Sequence, residues 1–280
     1  MYTKKIIAAV FVLISTACLF SLDSAVDERI DRNPFYSEPI LDSILLTTSV
    51  ALNVTVLYLD KVKQINNLEF DGNIFDSSQI NGFDRLFMFQ YSPIIDKLGT
   101  GLCIVSILTP SLLLSIPSDQ WLTIGIMYTE TISLAYGLKE LGKLCVSRAR
   151  PYMYFDNFPQ DALDDFDWNK SFPSGHTTLS FAGASFTSFV FCKYFPNSKW
   201  KIPVIASSYI FAVGTAVCRI ASGEHFITDV IAGAIAGTAC GLFVPWIHSL
   251  NVKPKKITTK NGQELSVQVL PMGACLSIRY

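Results

Sequence analysis

Charge is what this sequence has least of. Only 16% of its 280 residues are Asp, Glu, Lys or Arg, where a soluble domain carries about a quarter. Net charge is −1, with no basic stripe and no interleaving of aromatic and basic residues, which excludes a nucleic-acid partner. Metal-binding or redox cysteine spacing is also missing. Cys18, Cys103, Cys145, Cys192, Cys218, Cys240 and Cys275 form no CxxC pair. Most lie in apolar runs, where a free thiol packs as a small hydrophobe. Histidine is scarce, with three in the chain, and no internal repeat is evident, which excludes a repeat array. The length allows one or two domains with a sizeable core.

What is abundant is hydrophobic sequence, 50% of the chain. Lys4 and Lys5 precede an uncharged apolar run, Ile6 to Phe20, and small residues Ser15, Thr16 and Ala17 lead to Cys18. That is the layout of a secretory signal, short for a full span. An uncleaved anchor is the alternative, and Ser-Thr-Ala-Cys loosely resembles a lipoprotein processing site at Cys18. Six further apolar stretches run from Ile40 to Leu59, Leu98 to Ile116, Trp121 to Leu141, Thr177 to Phe195, Ile202 to Ile220 and Val230 to His248. Several approach the ~20 residues that cross a bilayer. Gly233, Ala234, Ala236, Gly237, Ala239 and Gly241 allow close helix approach in lipid. Glu130 and Glu140 should face the bundle interior. Beyond Asn251, β-favouring runs flank Asn261-Gly262, a hairpin signal.

Three short segments carry chemistry. Lys143 and Arg150, seven apart and followed by Pro151, are two cations about two helical turns apart. Arg219 is a third. Arginine forks bind phosphate through paired donors, whereas lysine acts as a point charge. Snorkelling at a membrane edge explains any one of these residues alone, and it is the better account of Arg148. Pro173-Ser174-Gly175-His176 precedes an apolar helix. Gly175 lets the backbone approach a ligand, N–H groups at a helix start bind anions, Ser174 adds a hydroxyl donor, and His176 can act as general acid. The same tetrapeptide is also an ordinary turn with a helix cap. His225 and Asp229, four apart, share a face if helical. The carboxylate would then hold one ring nitrogen protonated and leave the other to attack phosphorus. A surface pair or cap is the plainer reading. His248, ending the last apolar stretch, reads as an interfacial histidine.

Taken together, lysine-six residues-Arg-Pro, Pro-Ser-Gly-His and arginine-five residues-histidine-three residues-aspartate resemble the type-2 phosphatidic acid phosphatase superfamily over about Trp121 to Trp246. One departure is Cys218, where the family often has serine before the last arginine. The resemblance implies an all-α transmembrane bundle of the phosphatidic acid phosphatase and haloperoxidase type. It also implies a phosphohistidine on His225, His176 as acid and Asp229 as orienter. Lys143, Arg150, Ser174, Gly175 and Arg219 become phosphate ligands, with no metal or other cofactor required. The expected organisation is a signal-like or anchor segment at 1–20, an N-terminal region at 21–97 with one apolar helix and a polar loop, the catalytic bundle at 98–250 and a short β-like tail at 251–280.

The expected substrate is a lipid phosphate or diphosphate met at a membrane surface. A soluble secreted acid phosphatase, a vanadate-dependent haloperoxidase and a non-catalytic lipid-binding protein are the competitors. Long uncharged stretches oppose the first, and the complete set of reactive side chains opposes the last. Lys193, Lys199, Lys201, Lys253, Lys255 and Lys256 lie on the face away from the motifs, which makes that face cytoplasmic and turns the site outward, as in a bacterial inner membrane. Six crossings of that polarity place residues 23–39 inside, while a secretory start places them outside. Both cannot hold if all six stretches cross.

Overall fold

Helix α4, Gly175–Tyr194, is the axis about which the other long helices of the described chain pack. The computed structural model describes residues 33–35, 37, 39–64, 68, 70, 72, 74–156 and 158–250, and the strand backbones 255–258, 264–270 and 273–279. The others are α1 (Pro39–Leu57), α2 (Pro93–Ile107), α3 (Trp121–Cys145), α5 (Lys201–Ala221) and α6 (Ile227–Ser249). Helix α4 packs against α2, α3, α5 and α6, and α1 lies outermost on α3. Each apolar stretch read from the sequence thus contributes a helix. The second is cut short: α2 ends at Ile107, and a 3₁₀ segment, Thr109–Ser115, carries Pro110 onward, as proline's missing N–H requires.

Among the described residues, four segments are long and apolar enough to cross a membrane: Pro39–Val62, Pro93–Ser115, Lys201–Ala221 and Ile227–Ser249. Exposed residues such as Ile44, Val54, Ile94, Ile210, Val217 and Ile235 give them an apolar outer surface suited to lipid rather than water. Helices α3 and α4 fall outside that set, in keeping with the expectation that only several of the six stretches approach span length. Helix α3 carries Glu130, Lys139, Glu140 and Lys143. Helix α4 carries buried hydroxyls instead of long aliphatics. Thr178, Thr187 and Ser188 each donate to the carbonyl four residues back, at 2.7–2.9 Å. Ser106 of α2 donates to the Ser180 carbonyl at 2.9 Å, and Ser185 meets Tyr209 of α5 at 2.8 Å. Buried hydroxyls cost little when satisfied in this way.

Close approach of α6 to α4 depends on a glycine stripe. A Cβ at Gly233, Gly237 or Gly241 would lie 2.6, 2.1 or 2.5 Å from the carbonyl oxygens of Ser174, Thr178 and Ala182. The apolar core (Val105, Leu113, Ile116, Met127, Phe186, Phe191, Val244) fills the half of the bundle farther from the start of α4. Polar groups therefore concentrate at the other end.

The fold is an all-α transmembrane bundle with a small β appendage. Strands Lys255–Thr258, Glu264–Leu270 and Gly273–Arg279 form an antiparallel sheet in chain order, with Lys256 opposite Ser266 and Val267 opposite Leu276. The Asn261-Gly262 turn, the signal-like start and Cys18 lie outside the described residues.

Gly237→Ala is expected to lower stability by about 1–3 kcal/mol, the cost of forced overpacking. Gly125→Ala, where nothing lies within 4 Å of the added Cβ, should be neutral or gain roughly 0.5–1 kcal/mol. Thermal unfolding of both variants in detergent checks the contrast. Equal behaviour would remove the stripe as the basis of packing.

Candidate active site

The last turns of α3 and α5 and the first turns of α2, α4 and α6 meet at one end of the bundle. A cavity of about 510 Å³ lies there, and six of the eight expected site residues line it: Lys143, Arg150, Gly175, His176, Arg219 and His225. Lys139 brings the cations to four, facing three carboxylates, Asp96, Asp167 and Glu224. Gly175 opens α4, so unpaired N–H groups at that helix start supply anion-binding donors.

Local structure differs from the sequence expectation in three places. Helix α3 stops at Cys145, so Lys143 and Arg150 are not two turns apart on one helix. Residues 148–150 instead run extended beside 168–171: the Arg148 and Arg150 N–H groups donate to the carbonyls of Asn169 and Trp168, both at 2.8 Å, and Ser171 donates back to Arg148 at 3.0 Å. His225 precedes α6, so it and Asp229 do not share a helical face. Ser174 is buried with its hydroxyl 2.9 Å from that of Thr177, behind the cavity wall.

His225 is 2% exposed, and its Nδ1 lies 2.7 Å from the Ser171 carbonyl oxygen. A carbonyl only accepts, so Nδ1 carries the proton and Nε2 keeps its lone pair. Asp229 was expected to hold this ring nitrogen; the structure gives that place to Ser171. The Asp229 carboxylate is occupied at the start of α6. Its Oδ2 accepts from the Phe226 N–H at 2.9 Å and the Ser171 hydroxyl at 2.6 Å, and its Oδ1 accepts from Arg148 at 2.5 Å. Asp229 therefore reaches His225 through Ser171. His176 lies across the cavity, Nε2 3.3 Å from the Thr100 hydroxyl.

The arginines are held in place by acids. Arg150 donates to Asp167 at 2.5 Å and to Glu224, and Arg219 pairs with Asp96 and, at 3.1 Å, with Glu224. Glu224 thus bridges both guanidinium groups. Burial alone would raise the Asp167 carboxyl, but Arg150 and Lys143 outweigh it and hold the group below its usual range. Burial likewise works against charge on Arg150, and Asp167 and Glu224 reverse that, pushing it further up. His225 moves the other way. Burial, then Arg150, Arg219 and Lys143, drive it well below 6.5, with only the Ser171 carbonyl opposing. It is a neutral imidazole at pH 7.

A second shell of contacts escaped the sequence reading. Arg148, assigned to a membrane edge, donates to Asp84 at 2.6 Å, to Asp229 and to Thr228, and its guanidinium lies 4.1 Å above the Phe226 ring. Asp84 is fully buried and also accepts from the Thr228 N–H at 3.0 Å and from Asn81 at 2.7 Å. Burial would raise Asp84, but Arg148, Asn81 and Thr228 hold it low. Glu224 sits inside the third motif and could have been found there. Asp84 and Asp96 lie in a distant link and helix, and nothing local marks them. Over this end, Tyr152, Met153 and Trp168 pack with Phe70, Phe75 and Tyr154, so the aromatic segment after Pro151 does overhang the site and delivers Asp167.

Fold and site define a class: a transmembrane helical bundle with a cavity lined by two arginines, two lysines and two imidazoles. Residues 125–253 match the family model described as PAP2 superfamily. Among curated relatives, the Bacitracin transport permease protein BcrC of Bacillus licheniformis is 39% identical over 107 residues, covering 38% of this chain and 48% of that protein. Lipid A 1-phosphatase of Porphyromonas gingivalis is 29% identical over 146 residues, covering 50% and 28%. The chain thus spans about half or less of the length of these relatives. The crystal structure of Aquifex aeolicus LpxE aligns with a TM-score of 0.41 at 23% identity, covering 61% of this chain and 98% of that one.

Arg148→Met would leave two fully buried carboxylates without their cation. Such a loss costs about 3–5 kcal/mol. A large fall in thermal stability is expected, where a snorkelling arginine would change it by less than ~0.5 kcal/mol.

Proposed function

We propose that this chain is a membrane phosphatase that hydrolyses a lipid phosphate or diphosphate through a phosphohistidine on His225, without a metal ion. The observation that carries the reading is the 510 Å³ cavity in which Arg150, Arg219, Lys143 and both imidazoles converge. The names of relatives such as Lipid A 1-phosphatase support the substrate class.

In the reaction the cations and the α4 N–H groups hold the phosphoryl oxygens, whose charge is spread over the equatorial positions. His225 Nε2 attacks phosphorus and forms the N–P bond. The P–O bond to the lipid breaks and the departing oxygen takes a proton through His176. Burial, Arg219 and Arg150 push this imidazole down to about 3, so the proton enters with the phosphate monoanion and is relayed by the ring. His176 then takes a proton from water, whose oxygen attacks phosphorus and releases inorganic phosphate and free imidazole. Asp229 is a positioning residue: it fixes Ser171, and Ser171 fixes the tautomer of His225. Ser174 acts from behind the wall, supporting the helix start. Lys193, Lys199 and Lys201 lie toward the end of the bundle away from the site, and the positive-inside tendency supports an extracytoplasmic site in a bacterial inner membrane.

His225→Ala should abolish phosphate release from lipid substrates while thermal unfolding stays cooperative. Full activity in that variant would remove His225 as nucleophile. Arg219→Ala should lower kcat/KM by ~10²–10³-fold, as loss of one transition-state donor does.

The pH dependence has a defined sign. The folded histidine's pKa lies well below 6.5, so the nucleophile stays unprotonated as pH falls through that value. The acid limb of kcat/KM should therefore lie below pH 6.5. The unfolded chain does take up that proton near 6.5, so this residue makes folding less favourable as pH drops below that value. An acid limb at or above 6.5 would contradict a buried neutral imidazole.

A further inference from the structure

At the opposite end of the bundle a second cluster is built from three helices. His248 lies in the last turn of α6, Asp42 in the first turn of α1 and Glu130 within α3. From Asp229 to His248 the distance along α6 is ~28 Å. The three are 2%, 8% and 1% exposed. Nε2 of His248 is 2.9 Å from Glu130 Oε2, and Nδ1 is 3.8 Å from Asp42 Oδ1. Ser37 donates to the other Asp42 oxygen at 2.6 Å. Glu130 Oε1 and Asp42 Oδ1 are buried without a hydrogen-bond partner. One potential ligand atom from each residue falls within 4.8 Å of the others.

Charge decides what this cluster is suited to hold. With both carboxylates ionised the cluster keeps a net negative charge even when the imidazole is protonated, and among the described residues the salt bridges of Asp42 and Glu130 are with His248 alone. Uncompensated charge inside a bundle costs several kcal/mol. A divalent cation with a neutral imidazole balances both carboxylates and supplies a partner for the two orphaned oxygens. One nitrogen and two carboxylate oxygens suit a transition ion of the Zn²⁺, Mn²⁺ or Fe²⁺ kind.

We propose that Asp42, Glu130 and His248 form a binding site for a divalent transition-metal ion that ties α1 to α3 and α6. This cluster is separate from the anion pocket and does not depend on the phosphatase reading.

The test uses the full chain without a histidine tag, purified in detergent and stripped with chelator. Cobalt(II) titration should reach saturation at one equivalent, with a visible d–d absorption that Zn²⁺ displaces, and Zn²⁺ should raise the thermal midpoint. Glu130→Gln and His248→Gln should each weaken binding by at least roughly tenfold. No saturable binding, or binding unchanged in both variants, would overturn the proposal and leave a proton-sharing triad. If a variant does not fold, X-ray absorption of the zinc-loaded wild-type protein decides. One imidazole with oxygen ligands supports the site, and several imidazoles or sulfur ligands refute it.

Discussion

The orientation of one buried imidazole depends on a chain of three contacts. Arg148 neutralises Asp229, Asp229 accepts from the Ser171 hydroxyl, and the Ser171 carbonyl takes the proton of His225 Nδ1. Each link joins segments far apart in sequence. Asp229, Ser171 and His225 are buried, so breaking a link strands a polar group in low dielectric. The arrangement fixes the tautomer, and the tautomer fixes which nitrogen has a lone pair to offer. Asp84 anchors the far end by holding Arg148 against the start of α6.

Electrostatics of the pocket follow from the same economy of charge in a bundle with little of it. Four cations in a buried cavity would repel each other strongly, and Asp96, Asp167 and Glu224 offset that repulsion. Glu224, between Arg150 and Arg219, sets their spacing as it neutralises them. Under the proposed function, a phosphate would meet donors already aimed rather than flexible side chains, which is how fixed dipoles and charges lower a barrier at small reorganisation cost. The neutral state of His225 belongs to this balance: burial first, then Arg150, Arg219 and Lys143, keep a proton off the ring.

Much of this was legible in the sequence. Six apolar stretches correspond to six helices because apolar length alone fixes such elements in a lipid-adapted chain. Motif spacing singled out three cations and two histidines that line one cavity. The aromatic segment after Pro151 was read as an overhang, and it is one. The errors have physical causes. A seven-residue spacing suggested a helix through Arg150, yet the chain leaves α3 at Cys145 and runs extended beside 168–171. His225 and Asp229 have helical spacing, but the helix begins between them. Arg148 looked like an edge residue because its partner Asp84 sits in a remote polar link, and long-range pairing leaves no local signature. His248 was read as interfacial, and nothing near it in sequence announces Asp42 or Glu130.

The central claim is that a phosphoryl group is carried on the imidazole at position 225. It is tested most directly by trapping. A His176→Ala protein lacks both the proposed acid and the proposed water activator, so with a labelled aryl phosphate, whose leaving group departs without an acid, it should form the intermediate and accumulate it. Rapid quenching at alkaline pH, digestion and mass spectrometry should then place an acid-labile phosphoryl group on His225. A phosphoryl group found on Ser174 or another residue, or phosphate released with no covalent species under single-turnover conditions, would contradict the account.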